Sequence, residues 1–356
     1  MANVLGLDIG GANTKACFIR IKQDIPEVRT ATEYFPFWKN ASQLSSFLPT
    51  LRREVASNEK LDCIGLTMTA ELSDAYQTKR EGVNHILKCV DEAFADTPIF
   101  VSDVNAKLKS IDYAKEEPLS VAAANWAATG WLVSQLIKTC IIVDTGSTST
   151  SIVAIVNGHI AASGKTDLEK LMNGELVYTG SLRTNIAAIV NFIPLRGSKA
   201  RVSSELFAQS GDVHLILGNI TEKEYTTETA DGRGKTRLEA MARLARVVCA
   251  DIEMLTEQEI IQMARYIYSK QVEQIADGLS EVYSRVKTLT TNEIPIVVTG
   301  IGKDFLARAA AEKICADKII DIGELLPPEV AVASPAVGVA LMAASKLEGR
   351  VIKWTQ

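Results

Sequence analysis

The sequence predicts an α/β protein made of two lobes with a central cleft. At 356 residues the chain is longer than one hydrophobic core usually supports. One motif also occurs twice: residues 4–15 and residues 141–150 each contain an apolar strand, then an Asp, then a turn rich in glycine and hydroxyl residues. Strand-like and helix-like apolar patterns alternate after each copy. This alternation favours two lobes that each combine a sheet with helices.

The repeated motif carries residues that suit both an anion and a cation. Glycines let the backbone turn sharply and point its N–H groups at an anion, and the carboxylates of Asp8 and Asp144 can hold Mg²⁺ directly or through water. Lys15 follows the first turn and can neutralise a phosphate. The motif therefore predicts a phosphate clamp, whose residues are Gly10, Gly11, Asn13, Thr14, Thr145, Gly146, Ser147 and Thr148.

The first lobe is predicted to contain elements in the order βββαβαβα. Its first two strands form a hairpin around the Gly10 turn, and a third strand follows. Short apolar strands then alternate with segments whose apolar residues have helical spacing. The predicted strands are 4–9, 15–19, 29–34, 63–68 and 98–102, and the predicted helices are 41–55, 82–94 and 121–130.

The second lobe is predicted to begin with a copy of the same hairpin. Between about residues 165 and 251 the pattern loosens into polar turns, which indicates an elaboration of this lobe. Helical spacing and a glycine turn follow. The predicted strands are 139–143, 151–156, 160–163, 187–192 and 295–298, and the predicted helical regions are 252–286 and 334–345.

The predicted domain boundaries follow from this order of elements. The N-terminal lobe is predicted to be 1–135, completed by a C-terminal helix in 334–356. The C-terminal lobe is predicted to be 136–333, with the elaboration inside it.

Polar residues and glycines stand where several predicted strands end. Asp8, Asp103 and Asp144 each end an apolar strand, and Gly300 and Gly302 follow another. Ligands of open α/β sheets bind beyond the carboxyl ends of the strands. Asp103 therefore joins the candidate catalytic residues, and Gly300 and Gly302 join the candidate phosphate-binding residues.

Composition argues against several classes of partner. A formal net charge of −5 gives no basic surface of the kind that binds nucleic acid. The uncharged stretch 118–137 contains Asn125, Thr129 and Gln135 and is too weakly apolar for a membrane span. The six cysteines are scattered and form no C-x-x-C pair, which is typical of reduced thiols. We expect a cytoplasmic protein without a signal peptide, with small-molecule substrates and no nucleic acid or membrane partner; a homo-oligomer stays open.

The order of the elements resembles that of the actin-like ATPase superfamily, which includes sugar kinases, actin, heat-shock chaperones and hydantoinase-type proteins. This resemblance implies an actin-like, ribonuclease H-like fold. Five segments carry it: two phosphate loops, two connecting helices and the glycine turn on the nucleotide side. In that order of description they are 4–15, 141–150, 122–130, 335–344 and 297–302.

Four shorter phrases resemble a narrower family. They are Gly65-Leu-Thr-Met-Thr-Ala-Glu-Leu72, Ala122-Ala-Ala-Asn-Trp126, Glu205-Leu-Phe-Ala208 with Asp212-Val213, and Thr229-Ala-Asp-Gly-Arg233. The sequence is similar to an archaeal and methylotroph family tied to tetrahydromethanopterin-linked one-carbon metabolism, whose characterised activity is a step of methanofuran biosynthesis. The resemblance implies a transferase that joins [5-(aminomethyl)furan-3-yl]methyl diphosphate to γ-glutamyltyramine, forms an aryl ether and releases pyrophosphate, without a requirement for ATP.

That reaction would give the candidate residues distinct roles. Catalysis is assigned to Asp8, Lys15, Asp103 and Asp144, with Asp8 and Asp144 as Mg²⁺ ligands. The phenol, whose ordinary pKa is about 10, must lose its proton to a base. Asp103, Glu71 and Asp8 are the candidates for that base, and the sequence does not separate them. Contacts with the rest of the substrates are assigned to Glu71, Asn125, Asp231 and Arg233.

Each of these residues also has a structural explanation. An Asp at the end of a strand often caps the following turn, and charged residues in polar stretches often lie on a solvated surface. Two other functions stay open as well: an ATP-dependent small-molecule kinase or ATPase, and a non-catalytic ligand sensor. A kinase would need a purine pocket beside Gly300-Ile301-Gly302.

Overall fold

The computed structural model describes residues 2–22 and 25–354, with Ile25 described by its backbone alone. It has the α/β composition that the sequence predicts. The strands in chain order are β1 (Asn3–Ile9), β2 (Asn13–Lys22), β3 (Ile25–Tyr34), β4 (Cys63–Met68), β5 (Ile99–Ser102), β6 (Leu108–Ser110), β7 (Cys140–Thr145), β8 (Thr150–Val156), β9 (His159–Ile160), β10 (Leu176–Val177), β11 (Phe192–Leu195), β12 (Ser198–Arg201), β13 (Ile296–Thr299) and β14 (Ile319–Asp321).

The α-helices lie between these strands and at the C-terminal end of the chain. In chain order they are α1 (Phe37–Asn40), α2 (Leu44–Ala56), α3 (Lys79–Ala93), α4 (Ile111–Glu116), α5 (Asn125–Leu136), α6 (Asp167–Met172), α7 (Ser210–Leu217), α8 (Arg237–Arg246), α9 (Glu257–Leu289), α10 (Arg308–Lys313), α11 (Pro328–Val332) and α12 (Ser334–Glu348). Among the residues that the structure describes, no helix is long and apolar enough to cross a membrane.

The chain divides into two compact units. Unit 1 contains the described residues of Met1–Cys140, Val153–Glu169 and Ile322–Gln356, and unit 2 contains Ile141–Ile152 and Lys170–Asp321. The lobe boundaries given above from the sequence, at 135/136 and 333/334, stay predictions. Residues 355 and 356 of the predicted C-terminal helix segment lie outside the described residues.

Unit 1 is built on a six-stranded mixed sheet with the order β3-β2-β1-β4-β5-β6. Strands β1, β4 and β5 run parallel, so their carboxyl ends lie at one edge of the sheet. The hairpin of β1 and β2 places Asp8 opposite Lys15, and the parallel partner of Asp8 on β4 is Thr67. Asp8 near the end of β1, Glu71 after β4 and Asp103 after β5 therefore lie towards this edge of the sheet.

Glycines allow α12 to pack directly on this sheet. A Cβ at Gly6 would lie 2.1 Å from the carbonyl oxygen of Ala336, and a Cβ at Gly65 would lie 2.5 Å from that of Val339. Small residues therefore serve close helix–sheet packing. This packing explains why α12 can be rich in alanine and buried from Ser334 to Ala344.

Two predictions for unit 1 need correction. The helix predicted from residue 121 begins only at Asn125, because Ala123 has φ +51°, a left-handed conformation that an α-helix does not contain. The short strand β6, which pairs antiparallel with β5, was not predicted. Its three residues are too few for a periodic pattern to reveal.

Most of the sheet β10-β8-β7-β13-β14 belongs to unit 2, except Cys140 of β7 and residues 153–156 of β8. Strands β7, β13 and β14 run parallel, and Asp144 on β7 lies opposite Thr299 on β13. The turns that follow β7 and β13 therefore leave the same edge of the sheet. A separate hydrophobic core is formed by side chains of α7, α8, α9 and the hairpin of β11 and β12.

Three predictions for the second half of the chain need correction. The strand predicted at 187–192 is a 3₁₀ turn at Ile186–Ala188, and the strand begins at Phe192. The strand predicted at 160–163 is only the two-residue β9. The helical region predicted at 252–286 is one helix that starts at Glu257, because Thr256 and Glu259 form a capping box that fixes its first turn.

Candidate functional site

The first predicted phosphate turn joins β1 to β2 and is held by backbone hydrogen bonds. The Gly10 N–H donates to the Asn13 carbonyl oxygen (3.1 Å), and the Phe35 N–H donates to that of Ala12 (2.9 Å). A Cβ at Gly10 would lie 2.6 Å from the Asn13 carbonyl oxygen, whereas a Cβ at Gly11 would meet open space. The turn is therefore fixed on one side and open on the other. Thr14 of the same prediction is fully buried.

The three candidate acids of unit 1 share one arrangement. Each carboxylate is buried, with a side chain at most 4% exposed, and each lies beside a lysine ammonium that is 25–29% exposed. The accessible charged group at each position is therefore the lysine. The pairs, with their N–O distances, are Asp8 with Lys15 (3.6 Å), Glu71 with Lys79 (3.7 Å) and Asp103 with Lys109 (3.6 Å).

Lys79 and Lys109 were missed in the sequence. Lys79 opens a helix eight positions after Glu71, and Lys109 belongs to the unpredicted β6. Neither lies in a glycine-rich or strand-end pattern, so no local signal marks them.

Asp103 has the contacts of a turn-capping residue. Its Oδ1 accepts hydrogen bonds from the N–H groups of Asn105 and Lys107, both at 2.8 Å. These bonds hold the connection between β5 and β6. The described contacts account for Asp103 without a substrate, and its assignment to catalysis stays a prediction.

Glu71 is an enclosed acid with a raised pKa. Its side chain has no exposed surface, and neither carboxyl oxygen has a partner within ordinary hydrogen-bond geometry, although the backbone N–H groups of Glu71 and Ala123 lie near enough to influence it. Burial raises the pKa of Glu71 to about 7; Lys79 opposes this shift, and Asp167 adds to it. Asp167 itself pairs with Lys79.

The position of Glu71 bears on its predicted contact with substrate. In this conformation a ligand can reach Lys79 and Asp167, which are about a quarter exposed, but not the enclosed carboxyl group of Glu71. Asn125, the other substrate contact predicted in unit 1, is the partly exposed first residue of α5.

In unit 2 the turns after β7 and β13 come together. The Gly146 N–H donates to the Ser149 carbonyl oxygen (2.9 Å), and the Gly302 N–H donates to that of Thr145 (3.0 Å). Gly300 has φ +86°, and a Cβ there would lie 2.3 Å from the Thr145 carbonyl oxygen. Two segments that the sequence separates by more than 150 positions are therefore parts of one structure, as their strand order requires.

A third segment, residues 180–183, supports these turns and was missed in the sequence. The Ser181 N–H donates to the Gly146 carbonyl oxygen (2.9 Å), and the Arg183 N–H donates to that of Ser147 (3.0 Å). The Arg183 guanidinium also donates to the Thr148 hydroxyl (3.3 Å), which brings a cation to the predicted phosphate turn. The run of small residues before Arg183 lies in the loosely patterned region, where only its Gly-Ser pair hinted at a close approach.

Asp231 and Arg233 belong to a different part of unit 2. The Asp231 carboxylate contacts the guanidinium groups of Arg243 (3.3 Å) and Arg246 (2.6 Å), and the fully buried Arg243 also binds Asp212 (2.8 Å). Arg233 is exposed and donates its backbone N–H to Asp231 (3.2 Å). This ion network joins α7 and α8, so the described contacts of Asp231 are structural. The predicted substrate contacts of Asp231 and Arg233 stay predictions.

The candidate Mg²⁺ ligands, Asp8 and Asp144, are too few to hold the ion by themselves. Within residues 2–22 and 25–354, no group of three or more His, Cys, Asp and Glu side chains could hold a metal ion. Asp8 and Asp144 belong to different units and each offers one carboxylate. Mg²⁺ commonly takes one or two carboxylates and completes its shell with water and substrate phosphate. Each carboxylate taken by itself therefore suits an ion that arrives with a phosphate.

Comparison with known proteins identifies relatives over nearly the whole chain. A model of the hydantoinase/oxoprolinase family matches residues 62–348. The chain is 40% identical over 346 residues to the (4-{4-[2-(γ-L-glutamylamino)ethyl]phenoxymethyl}furan-2-yl)methanamine synthase of Methanocaldococcus jannaschii, covering 97% of this chain and 98% of the relative. The synthase of the same name from Methanococcus vannielii is 37% identical over 222 residues, which are 62% of this chain and 97% of the relative.

A solved structure supports the fold alone. Nucleotide-free acetone carboxylase is 11% identical, with a TM-score of 0.53 over 95% of this chain and 70% of that chain. The actin-like α/β fold predicted from the sequence is confirmed. The chain belongs to the hydantoinase/oxoprolinase family and, within it, to the family of the two archaeal furanyl-methanamine synthases.

Proposed function

We propose that this protein is a transferase that joins [5-(aminomethyl)furan-3-yl]methyl diphosphate to γ-glutamyltyramine in methanofuran biosynthesis. The observation that carries the proposal is the 40% identity with the Methanocaldococcus jannaschii synthase over 97% of the chain. The name of that relative describes a product in which a phenoxymethyl group joins a γ-glutamylaminoethyl arm to a furan. The proposed reaction forms that ether bond.

The proposed reaction is a displacement at carbon. The phenol oxygen forms a bond to the furan-bound CH₂ group, and the bond between that carbon and the diphosphate oxygen breaks. The electron pair leaves with pyrophosphate, and the phenol proton passes to a base. Most of the catalytic task is then to neutralise the leaving group and to hold the phenol in line with it.

Both units offer groups that suit a diphosphate. In unit 2 the turn at Gly146–Thr148 is supported by the Gly300 turn and carries the Arg183 guanidinium. In unit 1 the turn after β1 has open space at Gly11, and Lys15 lies on the strand that follows it. Preorganised backbone N–H groups and cations stabilise charge that develops on a leaving oxygen.

Mg²⁺ is part of the proposal, with Asp8 and Asp144 as its candidate ligands. When bound, the ion would supply positive charge to the diphosphate. The chain's own residues would bind and orient the diphosphate, and Lys15 would hold the Asp8 carboxylate and the phosphate in one place.

The base for the phenol is proposed from three carboxylates. Asp8, Glu71 and Asp103 are all buried behind lysines, so the phenol would first meet an ammonium group. A nearby positive charge lowers the pKa of a phenol and makes a weak base sufficient. Burial raises the pKa of Glu71 to about 7, which suits a base at neutral pH, but its enclosed carboxyl group would have to become accessible before Glu71 could take the proton.

A mass-spectrometric assay with both substrates tests the proposal. The purified chain with Mg²⁺ and no nucleotide should form the ether and an equal amount of pyrophosphate. Formation of a phosphorylated product, only when ATP is added, would replace the proposal by the kinase alternative. Absence of any ether with active substrates and folded protein would contradict the transferase proposal.

A further inference from the structure

Gln271 is an unusual residue in the core of unit 2. It lies in the middle of α9, has no exposed surface, and is flanked on the buried face of the helix by apolar side chains. A buried amide costs free energy unless all its polar atoms are hydrogen bonded, so a Leu or Met would be the simpler choice for packing alone.

Both polar atoms of the Gln271 side chain are hydrogen bonded, and their partners allow only one orientation of the amide. Its Nε2 donates to the Gly180 carbonyl oxygen (2.8 Å) and to the Thr179 hydroxyl (2.9 Å). A carbonyl oxygen can only accept, so the amide orientation is fixed and Oε1 faces His214 Nε2 at 3.0 Å. That nitrogen must therefore carry the proton.

His214 is held in this single tautomer from both sides. Its Nδ1 lies 3.2 Å from the Asn219 amide nitrogen, which donates to it. Burial lowers the pKa of His214 to about 3, against the opposing effect of its bond to Gln271, so the ring is neutral. The hydrogen-bonded series Asn219–His214–Gln271 therefore directs the two N–H donors of Gln271 to Thr179 and Gly180 in a single orientation.

Gly180 is the residue at which this chain meets the phosphate turn. A Cβ at Gly180 would lie 2.6 Å from the backbone nitrogen of Thr148. The Gly180 carbonyl oxygen also accepts from the Ser210 hydroxyl (2.8 Å). Segment 180–183 therefore packs directly against the turn that contains Ser147 and Thr148. The hydrogen bond from Gln271 holds the backbone of this segment in position.

The same chain reaches the second glycine turn. The Phe305 ring packs on the His214 ring with centroids 4.5 Å apart, and the Phe305 carbonyl oxygen accepts from the Tyr268 hydroxyl (2.7 Å). Phe305 follows Gly302 by three positions, in the π-helical turn Lys303–Ala307. One buried polar chain thus touches the supports of both turns.

We propose that Gln271 is a positioning residue that sets the backbone of the Ser147-Thr148 turn for a diphosphate, acting through Gly180. The inference rests on the proposed function, because it takes the diphosphate as the ligand of that turn. Gln271 lies below the turn and does not itself touch substrate.

The test compares two glutamines one turn apart on α9. Gln274 donates to the Ala188 carbonyl oxygen (3.1 Å), away from the phosphate turn, and serves as the matched control. The variants are Gln271→Met, Gln271→Glu and Gln274→Met. The measurements are binding of inorganic pyrophosphate by calorimetry, KM for each substrate, and hydrogen exchange of segment 180–183.

We expect both Gln271 variants to bind pyrophosphate about tenfold more weakly or worse and to raise KM for the furanylmethyl diphosphate, since a misplaced anion site loses charge-assisted bonds. KM for γ-glutamyltyramine should stay within about twofold of the wild type, because that substrate does not use the turn. Exchange in segment 180–183 should become faster in the Gln271 variants and stay unchanged in Gln274→Met.

Contrary outcomes separate this inference from the proposed function. If the wild type binds pyrophosphate and the Gln271 variants bind it equally well, the inference is overturned and the function stands. If the wild type does not bind pyrophosphate, both are overturned. If Gln271→Met does not fold, Gln271→Glu decides, since it keeps the length of the side chain and an acceptor for His214.

Discussion

The three buried carboxylates of unit 1 show how single residues differ from their sequence pattern. Asp8 and Asp103 stand at strand ends, which a local pattern reveals, and this made them candidate acids. Lys15 was predicted with the same hairpin as Asp8, whereas Lys109 beside Asp103 belongs to an unpredicted strand, which no local pattern reveals. The sequence therefore indicated both residues of the Asp8–Lys15 pair but only the acid of the Asp103–Lys109 pair, whereas the more accessible residue of each pair is the lysine.

At this scale the first prediction concerns Glu71. Its pKa of about 7 in the folded protein lies above the value of 4.5 for an ordinary Glu, so the folded state holds a proton that the unfolded chain has released. The free energy of unfolding should therefore fall as pH rises from about 4.5 to about 7, by about 3 kcal/mol in all. Glu71→Gln removes this loss and should be more stable than the wild type at pH 8.

Urea unfolding at pH 5 and pH 8 checks this prediction. Glu116→Gln, at an exposed position on α4, is the control. Glu71→Gln should narrow the difference in stability between the two pH values, and Glu116→Gln should not. Equal pH dependence in all three proteins would mean that Glu71 is not perturbed.

The second residue prediction concerns Lys15. Lys15→Met removes the ammonium 3.6 Å from the buried Asp8 carboxylate and should lower the free energy of unfolding by about 2 kcal/mol. It should also lower kcat/KM by about a hundredfold, through loss of charge at the diphosphate. The double variant Asp8→Asn/Lys15→Met should recover stability without recovering activity. Recovery of activity together with stability would show that neither the Lys15 ammonium nor the Asp8 carboxylate is needed for the reaction.

At the scale of elements, sequence patterns located the buried parallel strands well and the start of one helix poorly. Parallel strands such as β4 and β7 are continuous apolar runs and were found within a residue or two. The helix predicted from residue 121 was wrong at its start, because Ala123 has a left-handed backbone in spite of the helix propensity of three successive alanines. Propensity is a local property, and this conformation is not.

The element that most needs its glycine is the turn after β13. Gly300→Ala would suffer the strain of φ +86° and a contact of 2.3 Å with the Thr145 carbonyl oxygen. Gly197→Ala is a matched control, because Gly197 has φ +75° but a Cβ there meets nothing within 4 Å. Both should lose about 1 kcal/mol of stability from the backbone alone.

Activity and thermal unfolding distinguish the two glycine variants. Gly300→Ala should lose more stability than Gly197→Ala and at least about tenfold in kcat/KM, because it displaces the neighbouring phosphate turn. Gly197→Ala should keep full activity. If the two variants retained equal activity, the Gly300 turn would have no part in the site.

At the scale of the whole molecule, the repeated strand–Asp–turn motif together with the alternation of strand-like and helix-like patterns predicted the α/β class of the fold. The region of about 165–251 could not be predicted in the same way. Its core depends on the buried pair of Arg243 and Asp212, which comes from helices 20 positions apart and leaves no periodic signal. The supports of the phosphate turn, Gly180 and Arg183, lie in this same region.

The metal prediction also belongs to the whole molecule, since its two candidate ligands lie in different units. Treatment with EDTA should abolish ether formation, and added Mg²⁺ should restore it, because the diphosphate needs neutralisation as it leaves. Ether formation is measured by mass spectrometry before and after addition of the metal. Activity that is indifferent to EDTA would remove Asp8 and Asp144 from their role as metal ligands.

The central claim is that a carbon–oxygen bond breaks and a diphosphate leaves. A furanylmethyl diphosphate with ¹⁸O in the oxygen that bridges carbon and phosphorus tests it most directly, with γ-glutamyltyramine as the acceptor. The account predicts that all of the label is found in pyrophosphate and none in the ether. Label retained in the furan product would show that a phosphorus–oxygen bond had broken, and would contradict the account.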